Sequence, residues 1–283
     1  MLRLAVRVRR EQAELVLAEL LELVPGGVEE VELDGVVEYA VYGAPGELPA
    51  LPELRAAAGA ALVEVSTREL ADDSSERWRQ FHRPLVLDRR LTVRPPWEPP
   101  QDTPIELVID PGRAFGTGAH ASTRLCLELM LELPAGGGFV DLGCGSAVLA
   151  IAAAKLGWAP VIALDNDPAA VDAARANAAA NRVSLDVRRV DLRGEAVPGV
   201  PTIAANLLAP PLLAWAARVP VTVRRVIASG LLVPEADRVA AAFADRGLAE
   251  VARRSRGDWA ALLLERIGTG LDVGRVLPRR PGG

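Results

Sequence analysis

Val140-Asp141-Leu142-Gly143-Cys144-Gly145-Ser146-Ala147 is the stretch on which the fold turns. An apolar strand, Phe139 to Leu142, runs into a glycine turn, and the turn runs into a helix over Val148 to Leu156. Glycines at the carboxyl end of a strand let a loop's backbone approach a ligand closely. A dinucleotide loop has the fingerprint Gly-x-Gly-x-x-Gly, and here Val148 holds its last position.

Downstream the same alternation repeats. Strands are expected at Val161 to Leu164, Leu185 to Val190, Thr202 to Ala205 and Val226 to Ser229, with helices between them. Apolar strands alternating with helices specify an α/β fold: a Rossmann-like, mostly parallel, doubly wound sheet. A late pair, Leu248 to Ala252 and Trp259 to Leu264, is joined through Ser255 to Asp258, too short for a helical crossover. Those two strands must run antiparallel, which makes the last strand the exception in the sheet.

Upstream the pattern changes. Leu2 to Val8 alternates as a strand, and Glu11 to Leu23 repeats leucine at helical spacing until Pro25-Gly26-Gly27. Val28 to Leu33 and Val36 to Tyr42 meet at Asp34-Gly35, a tight-hairpin dipeptide. A short helix over Leu51 to Ala60 and a strand over Ala61 to Val65 complete the order βαββαβ, a small α+β ferredoxin-like domain. The expected division is this ferredoxin-like domain over 1–70, to which the resemblance given below assigns substrate recognition, a linker over 71–104, the sheet domain over 105–267 and a disordered Gly, Pro and Arg-rich tail over 268–283. Trp78, Phe81 and Trp97 in the linker read as packing residues.

Residues 1–75 hold fifteen Asp and Glu against six Arg, a net of −9, so the rest carries +4 of the total of −5. An acidic module repels phosphate backbones and attracts basic proteins, so no direct contact with nucleic acid is expected from it. A plain solvated acidic surface is the alternative. Cys126 and Cys144 are too few for a disulfide framework, and no His or Cys cluster has metal-ligand spacing, so no metal is expected. No apolar run approaches a membrane span and the start is no signal peptide, so a cytoplasmic location off the membrane is expected. Lys155 is the single lysine, a compositional bias that says nothing about activity.

Two more positions carry candidate chemistry. Asp165 ends the strand after the glycine turn, 22 residues past Gly143, where a carboxylate can accept both hydroxyls of a ribose. Asp167 heads a helix with Pro168 at its first position and reads as an N-cap. Asn206 ends an apolar strand at the edge where ligands sit, and its amide oxygen can accept a hydrogen bond from an incoming amine. Helix capping is its other reading, because Pro210 and a helix follow.

Asp141, two residues before Gly143, fits the Asp-x-Gly-x-Gly pattern of methyltransferases, with Gly145 as its second glycine. Ile109-Asp110-Pro111-Gly112-Arg113-Ala114-Phe115-Gly116-Thr117-Gly118-Ala119-His120, Thr123, Asp141 to Ser146, Asp165 to Pro168 and Asn206 to Ala209 together resemble the ribosomal protein L-eleven methyltransferase (PrmA) family. The likeness covers about Trp78 to Leu264, including the Trp-x-x-Phe-His piece Trp78 to His82. It implies an S-adenosylmethionine-dependent protein-lysine N-methyltransferase. Such an enzyme methylates lysine side chains and the N-terminal amine of a large-subunit ribosomal protein, which the N-terminal domain captures. By position it implies Thr123, Asp141, Gly143, Gly145, Asp165 and Asn206 as cofactor contacts, with the loop Phe115 to His120, and in it Phe115, Gly116, Thr117 and Gly118, folding over the ligand. Asn206 takes the catalytic role of orienting the amine, and His120 is left to loop structure. Ala147 stands at a place where the family usually has glycine, and its methyl threatens to crowd the cofactor. The competing readings are a nicotinamide-dependent oxidoreductase and a non-catalytic binding protein of the same fold.

Overall fold

The computed structural model describes residues 2–23, 28–43, 49, 51–69, 84–110 and 120–266. The chain divides into two compact units, Met1–Phe81 and His82–Gly283. The aromatic piece Trp78 to His82, the stretch 111–119 and the tail 268–283 lie outside the described residues.

The first unit runs β1 (Leu2–Arg9), α1 (Ala13–Leu23), β2 (Glu29–Leu33), β3 (Val36–Gly43), α2 (Leu51–Ala58) and β4 (Leu62–Glu69). Its sheet has the antiparallel order β2-β3-β1-β4, the ferredoxin-like arrangement, with the β2–β3 turn at Asp34-Gly35 using a Gly35 φ of 72°. Period-two alternation explains the burial. Leu4, Val6, Val8, Val37, Tyr39 and Val41 are buried, as are Val16, Leu17, Leu20 and Leu54 of the helices. Glu38, between two of those strand residues, accepts hydrogen bonds from Arg3 and Arg7 at 2.6 Å each. Its burial favours the neutral acid, but the two guanidiniums win and hold the carboxyl below its ordinary range. Arg7 also meets Glu64 and Arg10 meets Glu32, so three of the module's few cations are engaged by its own acids.

The second unit begins with β5 (Leu85–Leu87), β6 (Leu91–Arg94) and β7 (Ile105–Val108), which form a three-stranded sheet within and just beyond the expected linker. Residues 85–94 are therefore a hairpin rather than a plain connector. Asp88 and Arg89 turn it at φ 48° and 55°, both in the left-handed region.

Then follow α3 (Ala121–Glu132), β8 (Phe139–Leu142), α4 (Val148–Leu156), β9 (Val161–Asp165), α5 (Pro168–Ala180), β10 (Asp186–Arg189), β11 (Thr202–Asn206), α6 (Ala209–Ala216), β12 (Arg225–Leu232), α7 (Ala236–Ala244), β13 (Leu248–Arg256) and β14 (Trp259–Arg266). The seven-stranded sheet is ordered β10-β9-β8-β11-β12-β14-β13. Strands β10, β9, β8, β11 and β12 are mutually parallel, and β14 runs antiparallel to β12 and, as the short Ser255 to Asp258 link requires, to β13. The chain winds outward from β8 in opposite directions, so right-handed crossovers put helices on both faces and open a crevice between β8 and β11. Apolar side chains fill the core. Trp215 meets Phe243 at 5.6 Å between ring centroids, Phe139 meets Trp158 at 5.4 Å, and all of β8 is buried. Among the described residues no helix is long and apolar enough to cross a membrane.

Candidate active site

The crevice is built from the carboxyl ends of β8, β9 and β11. After Leu142, the N–H groups of Gly143 and Cys144 both donate to the Leu164 carbonyl, at 2.8 and 2.9 Å, so the turn folds back over the neighbouring strand. Gly143 takes φ 72°, and a Cβ built on it would lie 2.3 Å from Leu207 Cδ2. A side chain there would have to displace the end of Leu207 and adopt a strained left-handed conformation. Gly230, in the bulge of β12, is the matching allowance on the other side: its Cβ would lie 2.6 Å from the Leu207 carbonyl oxygen. The two glycines bracket Leu207 and so fix the residue before it, Asn206.

Asp165 ties the strand ends together. One carboxylate oxygen accepts from the Gly145 N–H at 2.9 Å and the other from the Asp167 N–H at 3.0 Å. Each oxygen keeps a second lone pair, so the group is oriented and still able to accept from hydroxyls. Asp167 accepts from the Ala169 N–H at 2.9 Å and is the N-cap of α5, with Pro168 following.

Asn206 is half-buried, and its Nδ2 donates to Thr123 Oγ1 at 3.1 Å. That bond orients the amide and leaves its oxygen as the acceptor for a ligand. It is not a helix cap: the N-cap of α6 is Leu208, which has no side-chain cap bond. Thr123 is buried in the first turn of α3, whose N-cap is His120. The His120 Nδ1 accepts from the Ser122 N–H at 3.3 Å and its ring stands edge-on to Trp259 at 4.7 Å. Burial pushes this imidazole down to about 4, so it stays neutral. Ser229, in β12, places its Oγ 3.1 Å from the carbonyl of Ser122 and steadies the same turn.

Asp141 lies beneath the turn, with 1% of its surface exposed, and accepts from the Ala150 N–H of α4 at 2.9 Å. Burial raises its carboxyl to about 8, with a smaller contribution of the same sign from the charge of Asp165. The N-cap of α4, Ala147, contributes no side-chain bond, so Asp141 supplies the oxygen that accepts from the first turn of the helix. Ala147 sits at φ 62°, ψ 25°, left-handed, with its methyl fully buried. That burial argues against contact between the methyl and a ligand in the crevice.

The structure thus brings Thr123, Asp141, Gly143, Gly145, Asp165 and Asn206 to one crevice. Phe115, Gly116, Thr117 and Gly118 lie outside the described residues. Sequence reading missed Gly230, Ser229 and two amides, Asn177 of α5 and Asn181 at its C-cap, whose one signal is their spacing of four in an alanine-rich stretch.

These residues suit an adenosyl sulfonium ligand. Asp165, oriented by two backbone N–H groups, can take a ribose diol.

The family model described as ribosomal protein L11 methyltransferase (PrmA) matches residues 50–266. A ribosomal protein L11 methyltransferase of Symbiobacterium thermophilum is 39% identical over 198 residues, 68% of this chain and 65% of the relative. Another, of Geobacter metallireducens, is 40% identical over 200 residues, covering 69% and 66%. The match therefore spans about two thirds of the length of these relatives. A third, of Ralstonia nicotianae, is 35% identical over 289 residues, covering 91% and 96%. The crystal structure of a ribosomal protein L11 methylase from Lactobacillus delbrueckii subsp. bulgaricus superposes with a TM-score of 0.57 at 29% identity, covering 65% of this chain and 98% of that one.

Proposed function

Because the chain belongs to the ribosomal protein L11 methyltransferase family, we propose that it transfers methyl groups from S-adenosylmethionine to lysine side-chain and N-terminal amines of ribosomal protein L11. The observation that carries this reading is the bond from Asn206 to Thr123, which commits the amide nitrogen and leaves the oxygen to receive an amine. Thr123, Gly143, Gly145, Asp165 and Asn206 are the proposed cofactor contacts, with Asp141 below the turn and Phe115 to Gly118 assigned by the family resemblance. The cofactor supplies an electrophilic methyl on a sulfonium centre. The chain's own residues hold, orient and desolvate the reactants, because an in-line displacement needs position more than a strong base.

A lysine amine has an ordinary pKa near 10.4, so it must shed a proton to water before it attacks. The Asn206 oxygen accepts a hydrogen bond from the neutral amine as well as from the charged one and so directs the lone pair without acting as a base. Neutral His120, taken up as a helix cap, stays out of the chemistry. The nicotinamide reading is disfavoured at α4: a dinucleotide places its pyrophosphate at that helix N-terminus, and Asp141 already serves it. The N-terminal ferredoxin-like unit is proposed to select the protein substrate, supported by its net charge of −9 over residues 1–75. Radiolabelled methyl transfer from S-adenosylmethionine to purified, unmethylated L11 tests the whole proposal. Incorporation into lysine and the N-terminal amine is expected, and its absence with a folded enzyme overturns the reading.

A further inference from the structure

We propose that Asn177 is a positioning residue that holds the glycine turn in shape, an inference that rests on reading that turn as the cofactor site. α5 is mostly alanine, yet it buries two amides one turn apart: Asn177 with 3% exposed and, just past its end, Asn181 with 7%. Together they stand where a further strand would pair with the edge of β7. Asn181 accepts from the Val108 N–H at 2.9 Å and donates to the Val108 carbonyl at 2.6 Å. Asn177 accepts from the Asp110 N–H at 3.0 Å. Residues 108 and 110 present their backbone groups on one edge because the strand repeats every two residues.

Asn177 does one thing that Asn181 does not. Its Nδ2 also donates to the carbonyl of Ser146 at 3.0 Å. That carbonyl belongs to the peptide whose N–H is Ala147, and this N–H donates to Cys144 at 2.7 Å. The peptide plane is thus held from both sides, immediately before the strained Ala147. A left-handed non-glycine residue persists only where its surroundings over-determine it. Asn177 is the side chain that does so here, and it links the turn to β7.

The test uses the full chain, with cofactor affinity by calorimetry and amide exchange of Ala147 without ligand. Asn177→Ala is expected to weaken S-adenosylmethionine binding about tenfold, the scale of the left-handed penalty. It should also speed Ala147 exchange. Asn181→Ala, which loosens β7 and not the turn, should cost less than about threefold. In an Ala147→Gly background, Asn177→Ala should also cost less than about threefold, because glycine takes the conformation unaided. A role confined to packing α5 on β7 predicts equal losses in both backgrounds. If Asn177→Ala does not fold, Asn177→Asp at pH 8 keeps the acceptor for Asp110 and sets an oxygen against the Ser146 carbonyl, with the same expected loss. Equal effects of Asn177→Ala and Asn181→Ala, or no difference between the two backgrounds, overturn the inference. Failure of the unaltered chain to bind S-adenosylmethionine overturns the cofactor reading instead, and the exchange contrast among the variants still decides the role of Asn177.

Discussion

Replacing Ala147 by glycine separates backbone strain from packing at the most unusual residue of the site. Ala147 sits at φ 62°, ψ 25°, a conformation that costs a side-chain-bearing residue about 1–2 kcal/mol. Glycine removes that strain. It also raises the entropy of the unfolded chain, worth about 0.4–1 kcal/mol against the folded state, and deletes a methyl with no exposed surface, worth about 0.8 kcal/mol. Relief and loss cancel to within about 1 kcal/mol, so the melting temperature should move by no more than about 4 °C in either direction. The buried methyl also predicts that S-adenosylmethionine affinity changes by less than about threefold, which is under 1 kcal/mol. Thermal unfolding and calorimetry on one sample check both. A stability gain above about 2 kcal/mol would mean the methyl packs against nothing, and a tenfold tightening of the cofactor would mean it reaches the ligand; either refutes the reasoning.

Asp165→Ala unpairs the Gly145 and Asp167 N–H groups and should weaken S-adenosylmethionine by about 1–3 kcal/mol, with unchanged affinity in a folded variant counting against the assignment. Asn206→Ala should cut single-turnover rate by more than it cuts cofactor affinity and, since Leu208 is the cap of α6, should cost little stability; a destabilised variant with a normal rate would point the other way. Asp141, raised to about 8 by burial, binds a proton in the folded state that it has lost in the unfolded one. Its contribution to stability is therefore greatest below the ordinary carboxylate range and is lost as pH rises towards 8, so Asp141→Asn should flatten the fall in melting temperature between pH 5 and 9, whereas parallel curves would contradict the shift. Removing residues 1–81 should preserve cofactor binding and abolish L11 methylation, and normal methylation by the remainder would end the proposal that the first unit selects substrate.

The α/β alternation, the Asp34-Gly35 hairpin and the antiparallel β13–β14 pair were legible because each rests on local chemistry: period, turn residues and a link too short for a helix. The hairpin at Asp88-Arg89 was not, since both residues take positive φ without the Gly or Asn that announces such a turn, and prolines on either side read as a connector. Within the site, Gly143, Asp165 and Asn206 stand at strand ends, where sequence position alone places them at the crevice. Asn177, Ser229 and Gly230 act through tertiary contacts with segments 31 to 107 residues away, or with Leu207, and no periodicity encodes such pairings. Asn206 shows the limit within one residue. Its two readings, ligand contact and helix cap, differ only in which backbone group the side chain meets, and that depended on Thr123 arriving from 83 residues away.

The single lysine has a bearing on experiment. Lys155 donates its ammonium to the Glu106 carbonyl, between α4 and the three-stranded sheet, and is half-buried there. A catalyst proposed to modify lysines therefore carries one side-chain amine of its own, already engaged. Among the side-chain amines of this sequence, self-labelling between copies of the enzyme is confined to that group. In a mixed reaction resolved by mass, the enzyme's own peak serves as an internal blank against which every methyl on the substrate is counted.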